Sequence, residues 1–110
     1  MKTYAELLAK SICFDIDDIV VNGELIDHSF VEKLREAYSK GWYIFIFSKR
    51  GQIEHNGHPE PHKKKIIFEI QRVCEWFEIP FHNIQIGKPV SAITVDNSSI
   101  TTDTFEKFIF

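Results

Sequence analysis

Ser11-Ile12-Cys13-Phe14-Asp15-Ile16-Asp17-Asp18-Ile19-Val20 is the stretch on which the fold turns. A short apolar run stops at Asp15 and gives way to three carboxylates within four residues. A run this short, ending in acidic residues, predicts a buried strand that delivers carboxylates at its C-terminal end. Downstream, Asn22-Gly23 is a turn signal that joins two short strands, Ile19-Val20-Val21 and Leu25-Ile26. Upstream, residues 1–10 form a short helical turn around Tyr4, Leu7 and Leu8.

Further out the apolar period changes to that of a helix. Phe30, Val31, Leu34, Ala37 and Tyr38 predict a helix over 29–40, capped by Asp27 or Ser29 and stopped by Gly41. Trp42-Tyr43-Ile44-Phe45-Ile46-Phe47 is a continuous β-former run, too short for a buried helix, and predicts a central strand. It closes on Ser48-Lys49-Arg50-Gly51. Residues 52–61 form a polar loop. Ile66, Ile67, Ile70, Val73, Cys74 and Phe77 predict an amphipathic helix over 62–77, with Trp76 and Phe77 placed in helix packing. Short strands are expected at 84–86 and 92–95, and a last helix from Thr101 or Thr102 through Phe108.

This alternation predicts an α/β fold. Apolar strands covered on both faces make it a three-layer α/β sandwich with a mainly parallel, Rossmann-like sheet. The chain's 110 residues suit a single domain, 1–110. Its 13 basic against 16 acidic side chains argue against a nucleic-acid partner held by bulk charge. No run approaches the roughly 18 apolar residues of a membrane span, and residues 1–6 lack the features of a signal peptide. With only two cysteines, Cys13 and Cys74, the expectation is a cytoplasmic protein with reduced, buried thiols.

Polar residues gather where open parallel sheets bind ligands, at the C-terminal ends of the strands. The first strand supplies Asp15 and Asp17, the aromatic strand Ser48, the loop before the last strand Lys88, and the last strand Asp96 with Asn97. Clustered carboxylates repel unless a cation is present, and a hard divalent ion such as Mg²⁺ suits oxygen ligands. Ser48 and Lys88 offer a hydroxyl donor and a positive charge to phosphoryl oxygens. Carboxylates also act as nucleophiles that form aspartyl-phosphates. The residues by themselves point to magnesium-dependent phosphoryl transfer.

Phe14-Asp15-Ile16-Asp17-Asp18-Ile19-Val20 resembles the first motif of the haloacid dehalogenase (HAD) superfamily. Ser48 closing a hydrophobic strand is similar to the second motif, Lys88 in Gly87-Lys88-Pro89 to the third, and Val95-Asp96-Asn97 to the acidic fourth. The four occur in the family's order between Asp15 and Asn97. The run from Ser48-Lys49-Arg50 through Asn56-Gly57 to Gly87-Lys88-Pro89 and Asp96-Asn97 looks like that of the small capsule-biosynthesis phosphatases of the superfamily.

The resemblance implies a phosphatase acting on a small phosphomonoester, a sugar phosphate of capsule polysaccharide synthesis. It implies Asp15 as nucleophile, Asp17 as general acid and base, and Ser48 and Lys88 as holders of the phosphoryl group. Mg²⁺ would be bound by Asp15, the Asp17 carbonyl and Asp96, with Asn97 a weak ligand or an outer neighbour. Apart from the resemblance, Arg50, two residues past Ser48, reads as a substrate contact at the rim or as an ordinary surface charge. Neither 18–28 nor 51–81 can form a separate core, so no cap domain is expected. An open site needs a screen from water, either the 52–61 loop or a neighbour in a homo-oligomer.

Three departures stand out. Asp18 occupies a place where many relatives have Gly, Ile19 replaces Thr or Val, and Asn97 replaces the second Asp of the common acidic pair. The last removes a negative charge and predicts weaker metal binding. Other features read blandly. His55, His58 and His62 are surface histidines of a polar loop, and Lys63-Lys64-Lys65 is a solvated helix start. Two competitors are a receiver-like phospho-acceptor domain, whose motif order differs, and a catalytically weak scaffold on the same fold, supported by Asp18 and Asn97.

Overall fold

The computed structural model describes residues 3–49, 60–89, 91–96 and 100–110. Its element order is α1 (Tyr4–Ala9), β1 (Ser11–Asp15), a 3-10 turn (Ile16–Asp18), β2 (Val20–Val21), β3 (Glu24–Leu25), α2 (His28–Ser39), β4 (Tyr43–Ser48), α3 (Glu60–Phe77), β5 (Asn83–Ile86), β6 (Ile93–Val95) and α4 (Thr102–Phe105). The fold is α/β, a Rossmann-like sandwich built on a parallel sheet flanked by helices. The sheet has the order β5-β4-β1-β6, and β1 pairs in parallel with both β4 and β6. β2 and β3 make a separate antiparallel hairpin.

β1 lies at the centre because all five of its residues are buried. Ile12 and Phe14 share a face with Ile44, Ile46 and Val95, by strand register and by membership of one core cluster. The cluster takes in Phe30, Val31 and Leu34 of α2, Ile66, Ile70 and Cys74 of α3, and Phe105 of α4. Phe30 is wedged between two rings, 5.2 Å from Phe14 and 5.1 Å from Phe105. On the other face Cys13 lies within reach of the Ser91 and Thr94 hydroxyls, at 3.0 and 3.3 Å. Both cysteines are free and buried, and burial pushes the Cys74 thiol up to about 12.

The helix ends follow local chemistry. Asp27 caps α2 by accepting from the Phe30 N–H at 3.0 Å. Gly41, at φ +87°, stops it, with Trp42 N–H donating to the Ala37 carbonyl and Gly41 N–H to Tyr38. The Asn22-Gly23 turn has both residues at positive φ, as a two-residue hairpin requires. No helix among the described residues is long and apolar enough to cross a membrane.

Several expectations need correction. α3 begins at Glu60, two residues ahead of the expected start, since Pro61 fits the first turn of a helix. Trp76 is 81 % exposed and takes no part in helix packing. It continues the outer row of Phe68 and Arg72, while Ile66, Ile70 and Cys74 face the core. Tyr38 is largely exposed and leaves the α2 core stripe to stack on His82. The last helix ends at Phe105 rather than Phe108, where a cluster of Phe105, Phe108 and Phe110 rings takes over.

His82 ties the sheet to α2. Its ring stacks between Tyr38 and Tyr43, and its Nδ1 accepts from the Ile44 N–H at 3.0 Å. Protonation at Nδ1 breaks that bond, and burial holds the imidazole below its ordinary pKa of 6.5. The unfolded chain therefore takes up the proton first as pH falls. The stability that neutral His82 provides is complete above pH 6.5 and declines below it. Urea melts at pH 7.5 and pH 5.5 should show His82→Asn less destabilising at the lower pH; an equal penalty at both would contradict the neutral imidazole.

Candidate active site

The strand order reverses at β1, with β4 and β5 on one side and β6 on the other. Such a reversal opens a crevice beyond the strand ends. Asp15 ends β1, and Asp96 follows Val95, which is the register partner of Phe14. The two carboxylates thus flank the crevice from adjacent strands. Ser48 ends β4 one residue past Phe47, the partner of Asp15. Parallel pairing alone therefore brings Asp15, Ser48 and Asp96 to one edge of the sheet.

Local turns supply the rest. The Asp15 carboxylate accepts from the Asp17 N–H at 3.0 Å, which caps the 3-10 turn and folds Asp17 back over the edge. Asp17 Oδ2 then accepts from the Ser48 hydroxyl at 2.7 Å. After β5 the chain turns through Gly87 at φ +90°, a conformation that favours glycine, and the Gly87 N–H donates to the Ser48 carbonyl at 2.7 Å. That turn carries Lys88 back to Asp96, with Nζ 3.0 Å from Oδ2. The Asp96 side chain is 1 % exposed and Lys88 39 %, so the ammonium reaches a buried carboxylate from the solvent side.

Burial pushes the Asp15 carboxyl up to about 6. The Asp17 N–H opposes the shift, the charges of Asp18 and Asp17 add to it, and Lys49 opposes it. A carboxylate placed this way is a poorly solvated anion that gains from a neighbouring cation.

The site can be tested for fit to Mg²⁺ on its donors. Asp15 and Asp96 present carboxylates from neighbouring strand ends, and the 3-10 turn that carries Asp17 follows directly on Asp15. The Asp17 side chain is engaged by Ser48, and the third donor implied by the resemblance is the Asp17 backbone carbonyl. Two carboxylates and a carbonyl are hard oxygen ligands that suit Mg²⁺. Among the described residues no group of three or more His, Cys, Asp and Glu side chains is arranged to hold a metal. A set of two carboxylates plus a carbonyl does not depend on one. Arg50 and Asn97, and the loop residues His55 and His58, lie outside the described residues.

A cavity of about 290 Å³ adjoins this edge between the hairpin and α3. Asp17, Asn22 and Glu69 supply its polar lining, and Ile16, Val20, Ile70 and Val73 its apolar floor. Sequence reasoning read Asn22 only as a turn residue and did not single out Glu69. Glu69 lies among exposed polar positions of α3 with no local pattern to mark it. The one available hint was the Asn22-Gly23 turn five residues past Asp17, which folds the hairpin back.

No family model matches the chain, and no curated protein matches it in sequence. Among solved structures, the crystal structure of an MCSG target from Vibrio cholerae is similar, with a TM-score of 0.65 and 20 % identity over 91 % of this chain and 89 % of that one. At that identity the likeness bears on the fold: the α/β arrangement of strands and helices in this chain is shared with a protein of experimentally determined structure.

Proposed function

We propose that the chain is a Mg²⁺-dependent phosphatase of the HAD type, acting in the cytoplasm on a small phosphomonoester. The sugar phosphate of capsule polysaccharide synthesis expected from the resemblance belongs to this proposal, as do the capless site and a homo-oligomeric neighbour as its screen. The observation that carries the reading is the linked set Asp15–Asp17–Ser48 on the same sheet edge as the Lys88–Asp96 pair.

The reading assigns the roles as follows. The Asp15 carboxylate attacks phosphorus, forming one P–O bond as the ester P–O bond breaks. Asp17 gives its proton to the departing alcohol oxygen. A water then attacks the aspartyl-phosphate, Asp17 takes its proton, and phosphate leaves with Asp15 restored. The Ser48 hydroxyl, now donating to Asp17, turns to a phosphoryl oxygen when substrate arrives. That exchange releases Asp17 for proton transfer. The Lys88 ammonium faces the same oxygens. Asp15, Asp96 and the Asp17 carbonyl would hold Mg²⁺, which would supply charge neutralisation for the phosphoryl group.

Hydrolysis of an aryl phosphate and a panel of sugar phosphates, with and without Mg²⁺, tests the proposal. Metal-dependent turnover that disappears in Asp15→Asn is the expected result. No turnover on any ester, with no Mg²⁺-induced shift in melting temperature, would replace the phosphatase with a scaffold.

A further inference from the structure

The stretch that carries Lys88 crosses the back of the sheet. β5 and β6 are the two edge strands, so residues 87–92 pass over β4 and β1 to join them. They do so on the face of β1 that Cys13 occupies, opposite Ile12 and Phe14. β5 ends level with Ser48 and β6 starts level with Ile12, so the path is a diagonal. Three strand spacings of about 4.8 Å and some four residues of strand length make that diagonal about 20 Å. The seven Cα steps from Ile86 to Ile93 reach at most ~24 Å, so this strap has little slack. Its upper end is fixed by the Gly87 N–H, which donates to the Ser48 carbonyl at 2.7 Å. Its lower end is fixed by the Ala92 N–H, which donates to the Ser11 hydroxyl at 3.0 Å. Between them the Ser91 hydroxyl donates to the Ile93 carbonyl at 2.8 Å and lies 3.2 Å from Thr94 Oγ1 and 3.0 Å from Cys13 Sγ. The buried Cys13 thiol donates to Thr94 Oγ1 at 3.3 Å. In the order thiol, Thr94, Ser91, Ile93 carbonyl, each proton is used once.

Lys88 and Asp96 stand at the two ends of this pinned stretch, with Ser91 and Thr94 between them. We propose that Cys13, Ser91 and Thr94 are positioning residues, which pin the strap to the back of β1 and so set the reach of the Lys88 ammonium to Asp96. The consequence for turnover rests on the phosphatase reading; the setting of Lys88 on Asp96 does not. Apolar side chains would fill the same space without fixing a direction. A thiol and two hydroxyls fix one, because each bond needs its donor aligned on its acceptor. A taut strap passes a shift at Ser91 on to Lys88 instead of absorbing it, so the three act through Lys88 and not on the substrate.

The coupling between Lys88→Met and Asp96→Asn, read by urea unfolding, is measured in the wild type and in Ser91→Ala, Cys13→Ala and Cys13→Ser. Ser91 is partly exposed and lies outside the main core cluster, so Ser91→Ala should fold. About half or more of the coupling should be lost in Ser91→Ala and Cys13→Ala. Most of it should be kept in Cys13→Ser, whose hydroxyl still bonds Thr94 and Ser91. Full coupling in both Ala backgrounds, even with stability lost, would overturn the proposal, as would no coupling in the wild type. Turnover of an aryl phosphate is measured beside it. There kcat should fall about tenfold in Ser91→Ala and Cys13→Ala and stay near wild type in Cys13→Ser, the pattern of a displaced ammonium. Coupling lost with kcat unchanged would overturn the step from Lys88 to turnover. Coupling lost in a protein whose wild type turns over no ester keeps the pinned Lys88 and removes the phosphatase reading; turnover with coupling unchanged does the reverse.

Discussion

Asp15→Asn is expected to raise the melting temperature of the metal-free protein at pH 7.5 while abolishing turnover. Both effects come from removing one carboxylate, which is a buried anion and the proposed nucleophile. Burial lifts the Asp15 carboxyl from 3.8 to about 6, so the folded state binds this proton more tightly than the unfolded chain does. Stability from this group is therefore fully present below pH 3.8 and is lost as pH rises through about 6. At pH 7.5 the native protein carries a buried anion at a net cost. A shift of this size corresponds to a cost of about 1–3 kcal/mol. Asn keeps the shape and keeps an oxygen to accept the Asp17 N–H. For a chain this size, ~1 kcal/mol corresponds to a shift of about 4–8 °C.

The pH dependence provides the control. In EDTA, the advantage of Asp15→Asn should shrink as pH falls from 7.5 and vanish near pH 4, where the native carboxyl is already protonated. Adding Mg²⁺ should reverse the ranking, because a ligand that binds only the folded native protein stabilises it by mass action. Loss of the proposed nucleophile should lower kcat by about 10⁴-fold or more, on the scale of other nucleophile deletions. An Asp15→Asn protein less stable than wild type in EDTA at pH 7.5 would contradict the burial argument.

Lys88→Met has the second large effect, and it runs the other way. Asp96 is almost fully buried and its oxygen lies 3.0 Å from the Lys88 ammonium. Removing one partner of a buried pair weakens the compensation of the other's charge, which costs about 3–5 kcal/mol when both are deeply buried. Lys88 is 39 % exposed, so water screens part of the loss and about 1–3 kcal/mol is expected. The Lys88→Met/Asp96→Asn double variant should recover much of that stability, because the buried carboxylate is removed together with its ammonium. Neither variant should regain activity. Urea unfolding of the four proteins forms the cycle, and a double variant as unstable as the sum of the singles would show that the ion pair is uncoupled.

How much of this was legible beforehand depends on the range of the interaction. α2 was legible at both ends because its signals are local: Asp27 bonds three residues on, and Gly41 takes the positive φ that ends the helix. The C-terminus of α3 carries no glycine. Glu78 takes the positive φ there, and the Arg35 side chain, from a different helix, holds the Phe77 and Glu78 carbonyls. The last helix misled in a similar way, since the period through Phe108 is helical but the rings of Phe105, Phe108 and Phe110 pack on one another.

For the site, the sequence alone determined which residues could meet. A parallel sheet places every strand's C-terminal end on one edge, so Asp15, Ser48 and Asp96 needed only the identity of their strands. Tertiary structure decided how they meet. The Ser48 hydroxyl on Asp17, the Lys88 ammonium on Asp96 and the desolvation that lifts Asp15 all depend on side-chain distance and burial. None of these is a property of spacing along the chain. The cavity of Asn22 and Glu69 beside Asp17 belongs to the same class. It exists because the hairpin folds back toward α3, and the contact that encloses it joins residues some fifty positions apart.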